Sequence, residues 1–202
     1  MIFVMSLMLA GLGDGSHLEE PVPSVSTELP HTVLSVGSEA PDARLLDIEG
    51  TERALLDGTT LVIFYKGGWC PYCNGHLRDL AGVTEALKER GVSPVAVSVD
   101  LPDHAAVTEA TWELPFPVLS DPELVAHEAY GVVTRLKGPE KVMLGLAGAG
   151  IRDRSGRDDG AMAIPSLFLV NEGRIAWAHA DLELKERPSM EAVLSAIDAA
   201  LQ

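Results

Sequence analysis

Short apolar runs alternate with segments of helical periodicity along most of this chain, and this pattern predicts an α/β fold. The runs at residues 61–65 and 94–99 are apolar and rich in β-prone residues, as expected of buried parallel strands. Between them, Leu77 and Leu80 begin a helical spacing of apolar positions, and Gly91 is placed to end that single helix.

The remaining apolar patterns complete an order of strands and helices. Two hairpins are predicted where apolar runs flank turn residues, at 43–55 and 166–178. Helices are expected at 105–112, 123–130 and 189–201, the last capped by Ser189, with a short strand at 116–119. Strand–helix alternation followed by a terminal hairpin and helix predicts a three-layer α/β sandwich.

Two segments do not fit the pattern. Residues 1–38 combine an apolar start with a linker rich in Pro, Ser and Glu, so the globular domain is predicted to span 39–202. The apolar start at 1–12 is too short to cross a membrane, and it is either a truncated signal segment or a disordered start. The compartment, cytoplasmic or extracytoplasmic, therefore stays open. Residues 136–163 are rich in Gly, Arg and Asp and are predicted to form a flexible insertion.

Composition narrows the classes of function. The net charge of −15 argues against a nucleic-acid surface and against attraction to anionic membranes. Two cysteines in 202 residues cannot form a disulfide scaffold, and a domain of this size does not need one. The cysteines are therefore better explained by chemistry than by stabilisation.

Those two cysteines, Cys70 and Cys73, lie between a predicted strand and a predicted helix. Pro71 suits the first helical position, so the pair falls at a helix N-terminus, where free N–H groups and the helix dipole favour a thiolate. His76 extends the run to the pattern C-x2-C-x2-H, but zinc requires four ligands and no second cluster supplies one. The spacing indicates a dithiol redox centre and no metal site.

Three segments resemble the peroxiredoxin-like (AhpC/TSA) branch of the thioredoxin superfamily. They are 64–73 at the cysteines, 116–121 with 129–131, and 164–173. The resemblance implies a thioredoxin-like three-layer α/β/α sandwich with a central mixed sheet. It also implies an oxidoreductase that needs no cofactor beyond the Cys70–Cys73 disulfide and that an external thiol or reductase recycles.

Measured against thioredoxins, the resemblance implies a thiol–disulfide oxidoreductase acting on protein disulfides. Cys70 would attack, and Cys73 would resolve the mixed disulfide. Pro165 would form a cis bond that presents the backbone of Ile164 to an extended substrate. The residues implied to shape or tune this site are Lys66, Trp69, Pro71, Tyr72, His76, Ile164 and Pro165. Thioredoxins also place a buried acid six residues before the first cysteine, where this chain has Phe64.

Two alternatives remain open. In a peroxidase, Cys73 would attack a hydroperoxide and Cys70 would resolve the sulfenic acid. The family supports the attacking cysteine with a Thr, a Pro and an Arg. At the corresponding positions this chain has Cys70, Lys66 and either Ile164 or Pro165. The arginines considered as replacements are Arg135, Arg152, Arg154 and Arg157. The other alternative is a non-catalytic protein-binding module, which unreactive cysteines at neutral pH would support.

Overall fold

A computed structural model describes residues 33–136, 138–139, 150–181 and 187–202. Its strands are β1 (Arg44–Leu46), β2 (Glu52–Ala54), β3 (Thr60–Phe64), β4 (Ser93–Ser98), β5 (Val118–Ser120), β6 (Val133–Arg135), β7 (Ala161–Ala163), β8 (Ser166–Asn171) and β9 (Arg174–Ala180). The helices that bear on the site and its support are α1 (Pro71–Gly82), α2 (Thr84–Glu89), α3 (Pro102–Thr111), α4 (Val125–Ala129), α5 (Ile151–Ser155) and α6 (Met190–Ala200).

The central sheet has seven strands in the order β2-β1-β5-β4-β3-β8-β9. Strands β3, β4 and β5 pair in parallel, whereas β8 and β9 join antiparallel beside β3. The predicted mixed sheet is therefore confirmed, and so are both predicted hairpins, β1–β2 and β8–β9. β6 and β7 form a separate two-stranded sheet.

Strand β3 is buried on both faces of the sheet. Its alternate side chains point to opposite faces and so belong to two different core clusters. Leu61 and Ile63 pack in the cluster that contains the buried residues of α1 and α6. Val62 and Phe64 pack in the opposite cluster, together with residues of α4. Helices thus cover both faces of the sheet, and the cysteine helix lies on the first of them.

The helix after the cysteines differs from its prediction. A single helix ending at Gly91 was expected, but α1 ends at Gly82 and α2 begins at Thr84. Val83 at the junction leaves the helical conformation, with φ −110° and ψ 9°. The Thr84 hydroxyl donates to the Leu80 carbonyl, a local bond that competes with the regular helical ladder and accompanies the break.

The predicted start of the domain at residue 39 lies too late. Val33 is buried, Leu34 N donates to the Tyr130 carbonyl at 3.2 Å, and Gly37 N donates to the Ile175 carbonyl at 2.8 Å. Residues 33–38, which were assigned to the linker, are therefore bound to the domain. The apolar start and the rest of the predicted linker lie outside the described residues.

The predicted flexible insertion at 136–163 also differs from the structure over its second part. Residues 150–163 contain α5 and β7, and both Ile151 and Ser155 are buried. The pattern was weak because these elements are only five and three residues long, too short for periodicity to show. Residues 137 and 140–149 of the predicted insertion lie outside the described residues.

Candidate active site

Cys70 occupies the N-cap of α1, directly after the loop that leaves β3. Its backbone is extended (φ −91°, ψ 109°), Pro71 opens the helix, and the Cys70 sulfur accepts a hydrogen bond from Cys73 N at 3.4 Å. This is the position in which an acceptor satisfies an otherwise unpaired helical N–H, and negative charge is favoured there. The predicted placement of the cysteine pair at a helix N-terminus is confirmed.

The two sulfurs have opposite proton affinities. The pKa of Cys70 is lowered chiefly by the hydrogen bond from the Cys73 side chain, then by the Cys73 backbone N–H and by the charges of Lys66 and Arg187, against an opposing contribution from burial. The pKa of Cys73 is raised by that same bond to Cys70, by burial and by the charge of the Cys70 thiolate. The pair therefore holds its negative charge on Cys70 and its proton on Cys73.

Two glycines let the preceding loop approach the neighbouring strand and helix closely. Gly67 has φ +138°, and a Cβ there would lie 2.9 Å from Asp100 Oδ1 and 2.7 Å from Trp69 Nε1. A Cβ on Gly68 would collide with Thr108 Oγ1 on α3. These contacts leave room for hydrogen alone, so the loop conformation depends on glycine at both positions.

Asp100 lies two residues after the end of β4 and anchors the same loop. Its carboxylate is fully buried, accepts a hydrogen bond from Gly68 N at 2.8 Å, and contacts Arg154 at 3.2 Å. Arg154 belongs to α5, and its carbonyl in turn accepts from Leu101 N at 2.7 Å. The second part of the predicted insertion is thus tied to the cysteine loop through one buried carboxylate.

Cys73 is in contact with a cation that no pattern in the sequence indicated, Arg187. Arg187 Nη2 donates to Cys73 Sγ at 3.5 Å, and Arg187 Nη1 lies 2.5 Å from Asp181 Oδ2. Both side chains of this ion pair are largely buried, with 12% and 4% of their surface exposed. A narrow cavity of about 10 Å³ adjoins Cys73, and its lining includes His76, His179 and Arg187.

His76 lies on α1, one turn after Cys73, and is buried. Its pKa is lowered to about 4 by burial, with smaller contributions from Arg187 and His179, so the imidazole is neutral near pH 7. Its Nε2 atom is buried and has no hydrogen-bond partner among the described residues. His76 was predicted to tune a thiol, and in the structure it lines the same cavity as Cys73.

The predicted cis bond at Pro165 is wrong, since no peptide bond among the described residues is cis. The trans form is the ordinary preference of an X–Pro bond, and here it joins β7 directly to β8. Ile164 N donates to the Val132 carbonyl at 2.6 Å, and the Ile164 carbonyl accepts from Ser166 Oγ at 2.7 Å. The backbone groups expected to receive a substrate are therefore already bonded within the chain, although Pro165 does line the cavity at Cys73.

The other predicted site residues are arranged around Cys70. Tyr72 is 60% exposed on the first turn of α1, whereas Trp69 is half-buried with its indole packed over Gly67. The charge of Lys66 lowers the pKa of Cys70, and its backbone N–H hydrogen-bonds the Cys73 sulfur. Tyr72 and Pro71 beside it are thus exposed side chains that lie between the two cysteines in sequence.

Three of the four arginines proposed from the sequence as replacements pair with carboxylates instead of the thiols. Arg154 pairs with Asp100, and Arg135 and Arg157 both pair with Asp159. Arg187 had no sequence signal, because it lies 114 residues from Cys73 in a charged segment typical of a solvated loop. Asp100 could have been found, since a polar residue soon after a buried strand often lies at a site.

Among the described residues, no group of three or more His, Cys, Asp or Glu side chains is placed to hold a metal ion. None of the helices in this part of the chain has both the length and the apolar character that crossing a bilayer requires.

The sequence is similar to those of known proteins. The sequence model of the AhpC/TSA family matches residues 36–178. The thiol-disulfide oxidoreductase ResA of Geobacillus thermodenitrificans is 32% identical over 104 residues, which are 50% of this chain and 60% of ResA. A Mycobacterium tuberculosis protein that carries the name of a peroxiredoxin is 30% identical over 161 residues, which are 76% of this chain and 98% of that protein.

Solved structures share the fold at lower identity. Reduced Prx3 of Vibrio vulnificus in complex with hydrogen peroxide superposes with a TM-score of 0.66 at 15% identity, covering 82% of this chain and 97% of Prx3. Peroxidoxin BcpB of M. tuberculosis gives a TM-score of 0.62 at 19% identity, covering 82% of this chain and 95% of that one. At these identities the likeness establishes the thioredoxin-type α/β fold alone.

Proposed function

This chain belongs to the AhpC/TSA family, and from that premise we propose that it is a thiol–disulfide oxidoreductase whose attacking group is Cys70. The observation that carries the proposal is the division between the two sulfurs. Cys70, at the N-cap of α1, has a lowered pKa, whereas the pKa of Cys73 is raised. The thiolate is the nucleophile in disulfide exchange, so the first attack belongs to Cys70.

The reaction proceeds in two exchanges. The Cys70 thiolate attacks one sulfur of the partner's disulfide, forming a mixed disulfide, and the other partner sulfur leaves as a thiolate that takes up a proton. Cys73 then loses its proton and attacks Cys70 Sγ, which forms the Cys70–Cys73 disulfide and releases the second partner thiolate. The partner gains two electrons and the cysteine pair loses two, so an external dithiol must reduce the pair again.

Docking of the partner is assigned to the exposed end of α1. Pro71 and Tyr72 lie between the two cysteines in sequence, and both are exposed. Cys70 itself is only 3% exposed, so binding has to uncover its sulfur, and the half-buried Trp69 before it is the side chain we expect to move. Pro165 and Ile164 then act by shaping the cavity and the adjoining strand rather than by pairing with a substrate backbone.

The proposal is tested by reduction of insulin disulfides with dithiothreitol as the recycling thiol. We expect Cys70→Ser to abolish the reaction. Reduced Cys73→Ser, freed of dithiothreitol and then mixed with insulin, should accumulate a mixed disulfide that mass spectrometry detects. Disulfide reduction that persists in Cys70→Ser would show that Cys70 is not the attacking group. Cysteines of the reduced protein that resist alkylation at neutral pH would instead support a non-catalytic binding module.

A hydroperoxidase is the second candidate, and one observation favours it. Arg187 Nη2 contacts Cys73 Sγ at 3.5 Å, so the sulfur that would attack peroxide has a cation beside it. Against this role, Cys73 is 2% exposed and its pKa is raised, which keeps it a thiol. The Thr that supports the peroxidatic sulfur in the family is replaced here by Cys70.

Peroxide consumption separates the two candidates. Each reduced variant is mixed with hydrogen peroxide, quenched at intervals with an alkylating reagent, and assayed for remaining thiols. Fast oxidation that survives in Cys70→Ser and is lost in Cys73→Ser would make Cys73 the attacking group and the protein a peroxidase. Slow oxidation in both variants, together with insulin reduction by the wild type, would leave the oxidoreductase assignment standing.

A further inference from the structure

The ion pair of Arg187 and Asp181 is built around Cys73. Asp181 follows β9 and is fixed by its backbone N–H, which donates to the Pro165 carbonyl at 2.9 Å. Its carboxylate holds Arg187 Nη1 at 2.5 Å, and Arg187 Nη2 reaches Cys73 Sγ at 3.5 Å. A buried carboxylate thus holds a largely buried guanidinium in hydrogen-bond contact with the Cys73 sulfur.

Several other groups face Cys73 from the elements around it. The Lys66 backbone N–H and the Cys70 sulfur both hydrogen-bond it, and the Tyr65 hydroxyl lies close enough for the charge of Cys73 to act on it. His76 on α1 and His179 on β9 line the same cavity, where His76 is neutral near pH 7. Among the described residues in this group, Arg187 is the cation in hydrogen-bond contact with the sulfur.

Capture of a partner changes what Cys73 experiences. In the reduced protein, the bond to Cys70 and the charge of the Cys70 thiolate are two of the three influences that raise the pKa of Cys73, burial being the other. Once Cys70 is part of a mixed disulfide, it carries no charge, and both of these influences disappear. Burial then remains, opposed by the Lys66 N–H and the charge of Arg187.

We propose that Arg187, positioned by Asp181, stabilises the Cys73 thiolate in the second exchange and thereby sets the rate at which the captured partner is released. In that step, the Cys73 proton passes to water and a bond forms between Cys73 Sγ and Cys70 Sγ. The bond from Cys70 to the partner sulfur breaks, and the partner thiolate leaves with the electron pair and is protonated. This inference rests on the proposed function and assigns to Arg187 a step that follows the attack by Cys70.

The test uses 5,5′-dithiobis(2-nitrobenzoate), which releases one coloured thiolate when Cys70 attacks and a second when Cys73 resolves the mixed disulfide. We expect Arg187→Gln to slow the second release by about tenfold or more at pH 7, while the first release changes only slightly. The midpoint of the pH profile of the second release should move to higher pH. Arg187→Lys, which keeps a cation beside Asp181, should recover part of the rate.

The matched control is Arg90→Gln, which removes a guanidinium from the exposed ion pair with Asp198 and should leave both releases unchanged. Unaltered rate and pH profile of the second release in Arg187→Gln would overturn the proposal. If that variant does not fold, Asp181→Asn, which removes the carboxylate that positions Arg187, takes its place. An unaltered rate and pH profile of the second release in Asp181→Asn would overturn the proposal as well. A first release that survives in Cys70→Ser would instead contradict the proposed function, whatever Arg187 does.

Discussion

At the scale of single residues, one helical turn separates two thiols that behave differently. Cys70 precedes the helix and accepts hydrogen bonds at its N-terminus, whereas Cys73 lies within it and donates to Cys70. The low pKa of one sulfur and the high pKa of the other are therefore two results of one shared proton. Changing either residue must change both affinities.

Replacement of Cys73 tests this coupling directly. Cys73→Ala removes the side-chain donor that contributes most to lowering the pKa of Cys70, so the thiolate should form at higher pH than in the wild type. Cys73→Ser is the matched control because its hydroxyl can still donate. The ultraviolet absorbance of the thiolate followed against pH gives both values, and equal pKa values in the two variants would show that the bond is unimportant.

The sequence predicted the cysteine pair but not its electrostatic partner, and the reason is physical. Cys70, Pro71 and Cys73 form a local pattern in which a helix start and the thiols are adjacent along the chain. Arg187 meets Cys73 only after the sheet and α6 have assembled, and its own segment has a polar pattern without periodicity. Contacts of this range follow from tertiary packing, which local patterns do not encode.

At the scale of elements, the site depends on a short loop pressed between β4 and α3. Gly67 and Gly68 bring that loop against Asp100 and Thr108, and Asp100 connects it to Arg154 on α5. The sequence pattern predicted the strand before the loop and the start of the helix after it, but not the break of that helix at Val83. It did not reveal the role of α5, because a helix of five residues is too short to show periodicity.

The loop's tight fit predicts the effect of one added methyl group. In Gly68→Ala the new Cβ would collide with Thr108 Oγ1, and we expect a loss of about 1–3 kcal/mol in the free energy of unfolding. Thr108→Ala in the same chain should recover part of that loss. Gly75→Ala is the control, since its Cβ would meet no atom within 4 Å and alanine favours the helix by about 1 kcal/mol.

Urea unfolding of these variants measures the differences in stability. Equal stability of Gly68→Ala and the wild type would mean that the loop has room for a side chain. A loss that Thr108→Ala does not relieve would place the strain at the contacts that remain, with Arg154 Nη2 at 3.0 Å and with the Thr108 Cβ at 3.3 Å. A double-mutant cycle therefore measures how much of the strain comes from Thr108 Oγ1.

At the scale of the whole molecule, the helix that covers one face of the sheet buries a neutral histidine, His76, beside the cysteine pair. The pKa of His76 is about 4 in the folded protein, below the value of about 6.5 expected for an unfolded chain. The unfolded state therefore binds a proton between those pH values that the folded state does not. The contribution of His76 to the free energy of unfolding is therefore fully present above about pH 6.5, and it is lost as the pH is lowered toward 4.

This difference predicts a pH dependence that one substitution removes. Between pH 7 and pH 4 the free energy of unfolding should fall by about 3 kcal/mol more in the wild type than in His76→Gln, because the glutamine does not titrate. Denaturant unfolding at several pH values measures both curves. Parallel curves for the two proteins would show that His76 is protonated in the folded state at its ordinary pKa.

The fold of the domain could be predicted from the sequence more fully than the site. Apolar runs and helical spacing predicted the order of the main elements and the two hairpins, since each is a local pattern that the mixed sheet requires. The start of the domain was predicted too late because residues 33–38 are held by backbone hydrogen bonds to Tyr130 and Ile175, and such bonds leave no mark on side-chain composition.

The packing of Trp69 has an optical consequence. Its indole lies over Gly67, in the loop that carries Cys70, while Trp112 packs under the guanidinium of Arg78 and Trp177 stacks on His179. Oxidation replaces the anionic sulfur next to Trp69 in the chain by a neutral disulfide, which changes the local field and the quenching of its emission. We therefore expect the tryptophan emission to report the redox state, and Trp69→Phe to lose most of the change on oxidation.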